Sequence, residues 1–388
     1  MNQELKYTTI GKALKFKSGS FLSASQMDKN GKYPVFGGNG INGYHSEYLF
    51  EESKIVIGRV GAYCGNVQLT QPNSWITDNA LYIEKKIVDY LDKYLLYLLR
   101  FNNLNQYASK SGQPLISEGR LKDIKIPLPS LSTQKKIAEI LDTADLLRQK
   151  DKALIAKYNQ LSQSLFLDMF GDPRINTYNF SIVKMESIAN KITDGEHTTP
   201  KRSDKGYKLL SARNIKNGYL DFKKVDYVDE DEFNKIYKRC NPEKNDVLIS
   251  CSGTIGHITV NRQDDPFVLV RSVALIKPKH EMINCNYLEY YLRSEHMQNI
   301  IISNSKSSSQ ANLFTGPIKN LPLILPPIIL QNRFAAHIEQ IEKQKQLAEE
   351  SLKQSEALFQ SLLQKAFTGE LVKDEAEIRI SKRQASLV

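Results

Sequence analysis

Between Ser132 and Phe170 apolar residues return at spacings of three and four, at Ile137, Ile140, Ala144, Leu147, Leu154, Tyr158, Leu161 and Leu165, with Asp151 as a polar interruption. That period predicts one amphipathic helix of about ten turns. Pro129 with Ser130 or Ser132 supplies its start, and Gly171-Asp172-Pro173 its stop. A second seam runs through Phe334, Ile338, Ile341, Ala348, Leu352, Phe359, Leu362 and Ala366, is broken by Lys345 and Ser355, and ends at Thr368-Gly369. Neither helix hides its stripe alone. Two helices of about 57 Å each, at 1.5 Å per residue, are expected to bury their stripes against each other as an antiparallel coiled coil.

The remaining chain carries short apolar runs between Gly, Pro and Asn turns. Strands are predicted at Lys54 to Gly58, Trp75 to Ile83, Asp246 to Ser250, Ile258 to Val260, Phe267 to Val270 and Val273 to Ile276. Each such stretch closes with an amphipathic helix, Asp89 to Tyr107 or Asn286 to Ile302. The expected fold class is mixed α/β, with globular parts at 1–130 and 172–326, long helices at 131–171 and 327–370, and a tail at 371–388.

The chain contains itself twice. Leu161-Ser162-Gln163-Ser164-Leu165 returns 197 residues later as Leu358-Phe359-Gln360-Ser361-Leu362, and Ile126-Pro127-Leu128-Pro129 with Gln134 and Ala138 returns as Leu323-Ile324-Leu325-Pro326 with Gln331 and Ala335. Upstream, Tyr94-Leu95, Tyr97, Leu99 and Arg100 match Tyr287-Leu288, Tyr290, Leu292 and Arg293. Two copies this large mean duplication of one module plus one helix, related by an internal pseudo-two-fold, rather than a solenoid. The globular parts have diverged more than the helices. Either loops drift faster, or the globular parts bind different targets while the helices keep a shared task.

A composition of 41% hydrophobic and 25% charged residues belongs to a globular chain. Met1 to Phe16 lacks the apolar core of a signal peptide, and the longest apolar run, Leu321 to Leu330, is cut by three prolines, so the expected location is the cytoplasm, with no membrane partner. Cys64, Cys240, Cys251 and Cys285 are too scattered for a disulfide framework or a zinc knuckle. The net charge of +10 sits almost wholly in the globular parts, which carry +5 and +4. Basic heads beside nearly neutral helices suit heads that meet phosphates.

Catalytic signatures are absent or fragmentary. Gly38-Asn39-Gly40-Ile41-Asn42-Gly43 satisfies the dinucleotide spacing, but another strand follows where a helix should open, so a flexible loop exposing Asn39, Asn42, Tyr44 and His45 is expected instead. Asn241-Pro242-Glu243-Lys244 begins like a base-methylating tetrapeptide and lacks its second proline and aromatic residue. Asp78, Glu84 and Lys86 have the spacing of a metal-dependent nuclease hairpin, a match that three common residue types make by chance. His197, in a polar turn with Lys201 and Arg202, lacks catalytic partners in the sequence.

Reading nucleic acid requires cations, amides and hydroxyls on loops. The first head offers Lys17, Ser18, Asn39, Asn42, His45, Arg59 and Tyr63. The second offers Thr198, Lys201, Arg202, Arg213, Asn214, Ser252, Thr254 and Arg271, with Lys306 in the run from Ser305 to Gln310. Three classes remain open here: a DNA-reading protein, an enzyme with its own nuclease or transferase centre, and a coiled-coil protein that never touches DNA.

Tyr33-Pro34-Val35-Phe36-Gly37-Gly38-Asn39-Gly40 leading to Tyr44, Ile126-Pro127-Leu128-Pro129 running to Gln134-Lys135-Lys136-Ile137-Ala138, and Leu362-Leu363-Gln364-Lys365-Ala366-Phe367 with Gly369-Glu370-Leu371 resemble the specificity subunit of type I restriction-modification systems. The likeness covers nearly the whole chain. The second copy departs from it at Pro326-Pro327-Ile328-Ile329-Leu330-Gln331 followed by Asn332-Arg333-Phe334. The resemblance implies a non-catalytic DNA-binding subunit in which each head is a target recognition domain for one half of an asymmetric bipartite site. It implies that the helix pair sets the spacer and docks two DNA adenine methyltransferase subunits, with restriction and translocase subunits joining for cleavage. S-adenosylmethionine, ATP and Mg2+ would then belong to the partners, with no cofactor in this chain.

Overall fold

A computed structural model describes residues 6–110, 112–305 and 312–371. Its contacts divide the chain into two units. The first takes the chain up to Ala153 and resumes at Glu349, and the second runs from Leu154 to Ala348. Each unit therefore combines one head with half of each long helix.

In the first unit, strands β1 (Leu14–Ser18), β2 (Tyr33–Gly37), β3 (Gly40–His45), β4 (Ile55–Gly58), β5 (Val67–Leu69), β6 (Trp75–Ile76) and β7 (Ala80–Lys86) form two sheets. One is four-stranded and antiparallel in the order β1-β7-β4-β5; the other has the order β3-β2-β6, with β6 parallel to β2. The apolar run of β4 is buried on both faces, as such a run requires. Ile55 and Ile57 enter the main core with Tyr94, Leu95 and Leu98, while Val56 turns to Ile76 and Tyr82 on the other side.

The second unit repeats this plan with β8 (Ala189–Asp194), β9 (Tyr207–Leu210), β10 (Asp226–Val228), β11 (Val247–Ser250), β12 (Ile258–Val260), β13 (Phe267–Leu269) and β14 (Val273–Pro278). Its sheets run β8-β14-β11-β12 and β10-β9-β13, with β13 parallel to β9. Alternation is again legible: Val247 and Ile249 face Tyr287, and Leu248 faces Phe267 and Leu275. Burial pushes the thiols of Cys240 and Cys251 up to about 12, so both are inert small hydrophobes.

The repeated glutamines now have a reason. Gln134 is fully buried; its Oε1 accepts from Leu91 N, and its Nε2 donates to the carbonyls of Asp89 and Pro129. Gln331 makes the same three bonds, to Asn284 N and to the carbonyls of Met282 and Pro326. Each amide ties the start of a long helix to the loop before the head's closing helix. Gln134→Leu strands three backbone groups and is expected to cost about 2–4 kcal/mol, measured by urea denaturation of the full chain. A loss within about 0.5 kcal/mol would contradict this.

The first long helix spans Leu131–Phe170 and the second Ile328–Thr368. Thr133 N donates to Ser130 Oγ, which makes Ser130 the cap, and Gly171 and Gly369 end the helices with φ of +76° and +85°, open to glycine without strain. In the first unit Arg148 lies over the Phe359 ring, Asp151 meets Ser355, and Lys152 meets Glu356, so the two helices run antiparallel there. In the second unit the Phe166 and Phe170 rings meet Phe334 at 5.7 and 5.2 Å.

Several expectations need correction. The buried line of the first helix runs through Ile137, Leu141, Ala144, Asp151, Ser162 and Phe166, whereas Leu147, Leu154 and Leu161 are exposed. The run from Trp75 to Ile83 is two strands in different sheets, parted at Thr77-Asp78-Asn79. The segment Asn39 to His45 is half of a β-hairpin rather than a flexible loop, because Gly38-Asn39 makes a two-residue turn between β2 and β3.

Candidate nucleic-acid interface

In the first head the ends of β1, β2 and β4 and the start of β7 come together as one rim. Arg59 follows β4; its backbone N–H donates to Asn79 O, and its Nη1 donates to Ser18 Oγ at 3.2 Å and to Asp78 O at 3.3 Å. Ser18 Oγ also donates to Asp78 O at 3.2 Å. The β2–β3 turn packs close, since a Cβ on Gly58 would lie 2.5 Å from Gly38 O. Asn39 and Asn42 are exposed at this hairpin. Tyr63 is 56% exposed in a loop whose Gly61 and Gly65 take φ of +83° and +87°. Lys17, one residue from the cluster, reaches Glu84 at 3.6 Å.

His45 lies elsewhere. It pairs with Tyr33 at the far end of the hairpin, and its ring stands edge-on to Trp75. The nuclease-like trio is also dispersed: the Asp78 carbonyl holds Arg59, Glu84 pairs with Lys17, and Lys86 Nζ bonds Tyr90 O and Asp92 Oδ1. Among the described residues no group of three or more His, Cys, Asp or Glu side chains is arranged to hold a metal.

The second head builds its rim from the equivalent strand ends. Glu196 bridges Val270, Arg271 N donates to Glu196 O, Ala212 N donates to Ser272 Oγ, and Cys251 N donates to Ser272 O. Thr198, Arg213, Ser252 and Arg271 are thereby neighbours by backbone. Thr198 binds Glu196 Oε1 through both its N–H and its hydroxyl, and that N–H holds the Glu196 carboxyl below its ordinary range. Arg202 Nε and Arg213 Nη2 share Asp226, at 3.1 and 2.8 Å. Partial burial pushes the Asp226 carboxyl up, but the two guanidiniums outweigh it and hold the group low. Lys201 and Thr254 are exposed. His197 pairs with Asp194, whose other oxygen takes Arg239.

Asn214 leaves the reading set. It is 2% exposed, and its amide donates to the carbonyls of Asp221 and Lys224 while its Oδ1 accepts from Ser211, so it shapes the loop that carries Arg213. Lys306 lies outside the described residues. The acids Glu196 and Asp226 are not legible from sequence, because carboxylates repel phosphate, yet they hold Thr198, Arg202 and Arg213 in place.

The two rims thus share strand order and strand ends while differing in side chains. A family model described as "Type I restriction modification DNA specificity domain" matches residues 2–157 and 179–357, once for each unit's head and most of a long helix. The chain belongs to that family. The specificity subunit of the type I restriction enzyme EcoprrI of Escherichia coli is 38% identical over 148 residues, 37% of each chain. The EcoBI specificity subunit of Escherichia coli is 28% identical over 362 residues, covering 84% of this chain and 75% of that one. The crystal structure of a type I restriction-modification S subunit from M. genitalium matches over 95% of this chain and 97% of that one, with a TM-score of 0.65 at 18% identity, a likeness of fold. No helix among the described residues is long and apolar enough to cross a membrane.

Asp226 fixes one edge of the Arg213 guanidinium and leaves 52% of the side chain exposed. Arg213→Ala is expected to weaken binding to the cognate site by about 1–3 kcal/mol, with far smaller loss on unrelated duplexes. Equal loss on all sequences, by fluorescence anisotropy, would make it a phosphate contact. Asp226→Asn releases both arginines; the slope of log K against log salt should steepen by about one while discrimination falls. An unchanged slope would contradict that.

Proposed function

We propose that this chain is the non-catalytic DNA-reading subunit of a type I restriction-modification complex. Residues 1–130 and 172–326 act as target recognition domains, each reading one half of an asymmetric bipartite site in double-stranded DNA. Residues 131–171 and 327–370 pair as a coiled coil that sets the spacer, and 371–388 form the tail. The observation that carries this is the pair of rims: equivalent strand ends in both heads, bearing Ser18, Asn39, Asn42, Arg59 and Tyr63 in one and Thr198, Arg202, Arg213, Ser252 and Arg271 in the other. Duplicated scaffolds with unlike reading residues suit a site whose halves differ. Half-sites read from one face of DNA need centres about 34 Å apart, within reach of helices this long.

Two DNA adenine methyltransferase subunits dock on the helix pair, and restriction and translocase subunits join them in the cytoplasm. Leu147 at 44% and Leu358 at 48% exposure support this, because they line an open apolar groove of about 730 Å3 with Ile140 and Leu362 in the first unit. S-adenosylmethionine, ATP and Mg2+ are carried by those partners. Purified chain with Mg2+, with and without S-adenosylmethionine, is expected to leave mixed-sequence DNA uncut and unmethylated while binding it in a salt-dependent way. Turnover by the lone chain would favour an enzyme with its own centre, and failure to retain DNA at low salt would overturn the reading.

A further inference from the structure

The seam between the long helices carries an expensive group. Asp151 is 8% exposed; its Oδ1 accepts from Ser351 Oγ at 3.1 Å and its Oδ2 from Ser355 Oγ at 2.7 Å, with Ser355 itself 3% exposed. Lys152 Nζ meets Glu356 beside them at 3.0 Å. A buried carboxylate costs free energy that two hydroxyls only partly return. The internal repeat shows that packing does not demand it. At the same offset of 197, Ala348 stands in the second copy where Asp151 stands in the first, Leu154 where Ser351 stands, and Tyr158 where Ser355 stands. Ala348 is buried there, with Leu154 exposed and Tyr158 half-buried, so the equivalent place is filled without a carboxylate.

Position adds to this. The core of the first head reaches along the first long helix as far as Ala144, and Asp151 lies two turns beyond, halfway along the helix. Pairing there rests on the helices themselves. An apolar seam is non-directional and accepts small slides and rotations at little cost. A carboxylate between two hydroxyls has one low-energy address, and a shift of a single residue along the second helix replaces Ser351 and Ser355 by Leu352 and Glu356 or by Glu350 and Gln354, in either case without the two hydroxyls and beside another carboxylate.

We propose that Asp151, held by Ser351 and Ser355, is a positioning residue that fixes the register of the helix pair and thereby the number of base pairs between the two half-sites. This rests on the reading of the helix pair as the spacer. Stability is given up for register, so supplying the apolar set of the second copy should keep the fold and loosen the gap.

The test compares methylomes of cells carrying the full chain with its modification partner. The variants are Asp151→Ala with Ser351→Leu and Ser355→Tyr, and separately Ser355→Ala, which removes one hydroxyl and cannot overpack. Wild type is expected to methylate one spacer length. The triple variant should melt no lower, keep both half-sites, and raise methylation at spacers one base pair off by roughly tenfold, the equivalent of about 1.4 kcal/mol of register preference. Ser355→Ala should move the same way by less, and Asp151→Asn, whose Oδ1 accepts from one serine while its Nδ2 donates to the other, should hold the wild-type gap. A bipartite wild-type motif with the same single spacer in the triple variant and in Ser355→Ala overturns this inference and leaves the functional reading standing. A wild type without any bipartite motif overturns both.

Discussion

Replacing residues 1–130 by the corresponding head of a relative with another target changes one half of the methylated motif and leaves the other half and the gap intact. The physical ground is that each rim closes on itself. Among the described residues the Arg59 side chain is held by Ser18 and Asp78 and its backbone by Cys64, Asn79 and Ile116, all of the first head, while Arg202, Arg213 and Thr198 are held by Glu196 and Asp226 of the second. The graft must keep what the first head gives to the helices, namely Tyr94 and Tyr97, whose rings stand edge-on to Phe367 and Phe359. With those kept, the exchanged half-site should switch completely, because specificity within one half-site amounts to several kcal/mol. A motif altered in both halves would contradict modular reading.

Lengthening the helix pair by one turn is expected to lengthen the gap and nothing else. Four residues inserted after Ala153 and four before Glu350 add about 6 Å to both strands of the pair and rotate the seam by only about 40° from a full turn. Asp151, Ser351 and Ser355 keep their partners, since the insertions fall on the same side of them. At about 3.4 Å per base pair the preferred spacer grows by one or two base pairs. Unaltered spacing in the methylome would remove the helices as the ruler.

What the sequence disclosed follows from the length over which each pattern repeats. Forty residues of helical period with Ser130 and Gly171 at its ends outweigh any local ambiguity, so both long helices were legible to within a few residues. Their buried face was not, because Leu147, Leu154 and Leu161 make a stripe as regular as the true one and hydropathy alone cannot say which stripe meets a neighbour. Short elements failed where a local signal opposed a longer period. Ser294 caps a new helix at Glu295 and breaks the expected helix from Asn286 to Ile302. Asn103, at φ of +43°, ends the earlier one at Phe101. The rims were legible as a list of cations and amides, but their assembly depends on strand order, and Asn214 shows how a residue of the right type can be consumed by its own loop.

The most direct measurement is single-molecule methylome sequencing of cells expressing this chain with its modification partner, against the same cells lacking the chain. The proposed function predicts one new adenine-methylated motif made of two different short halves around a fixed unspecified gap, lost when the chain is absent. A continuous or palindromic motif, or methylation that persists without the chain, would contradict it.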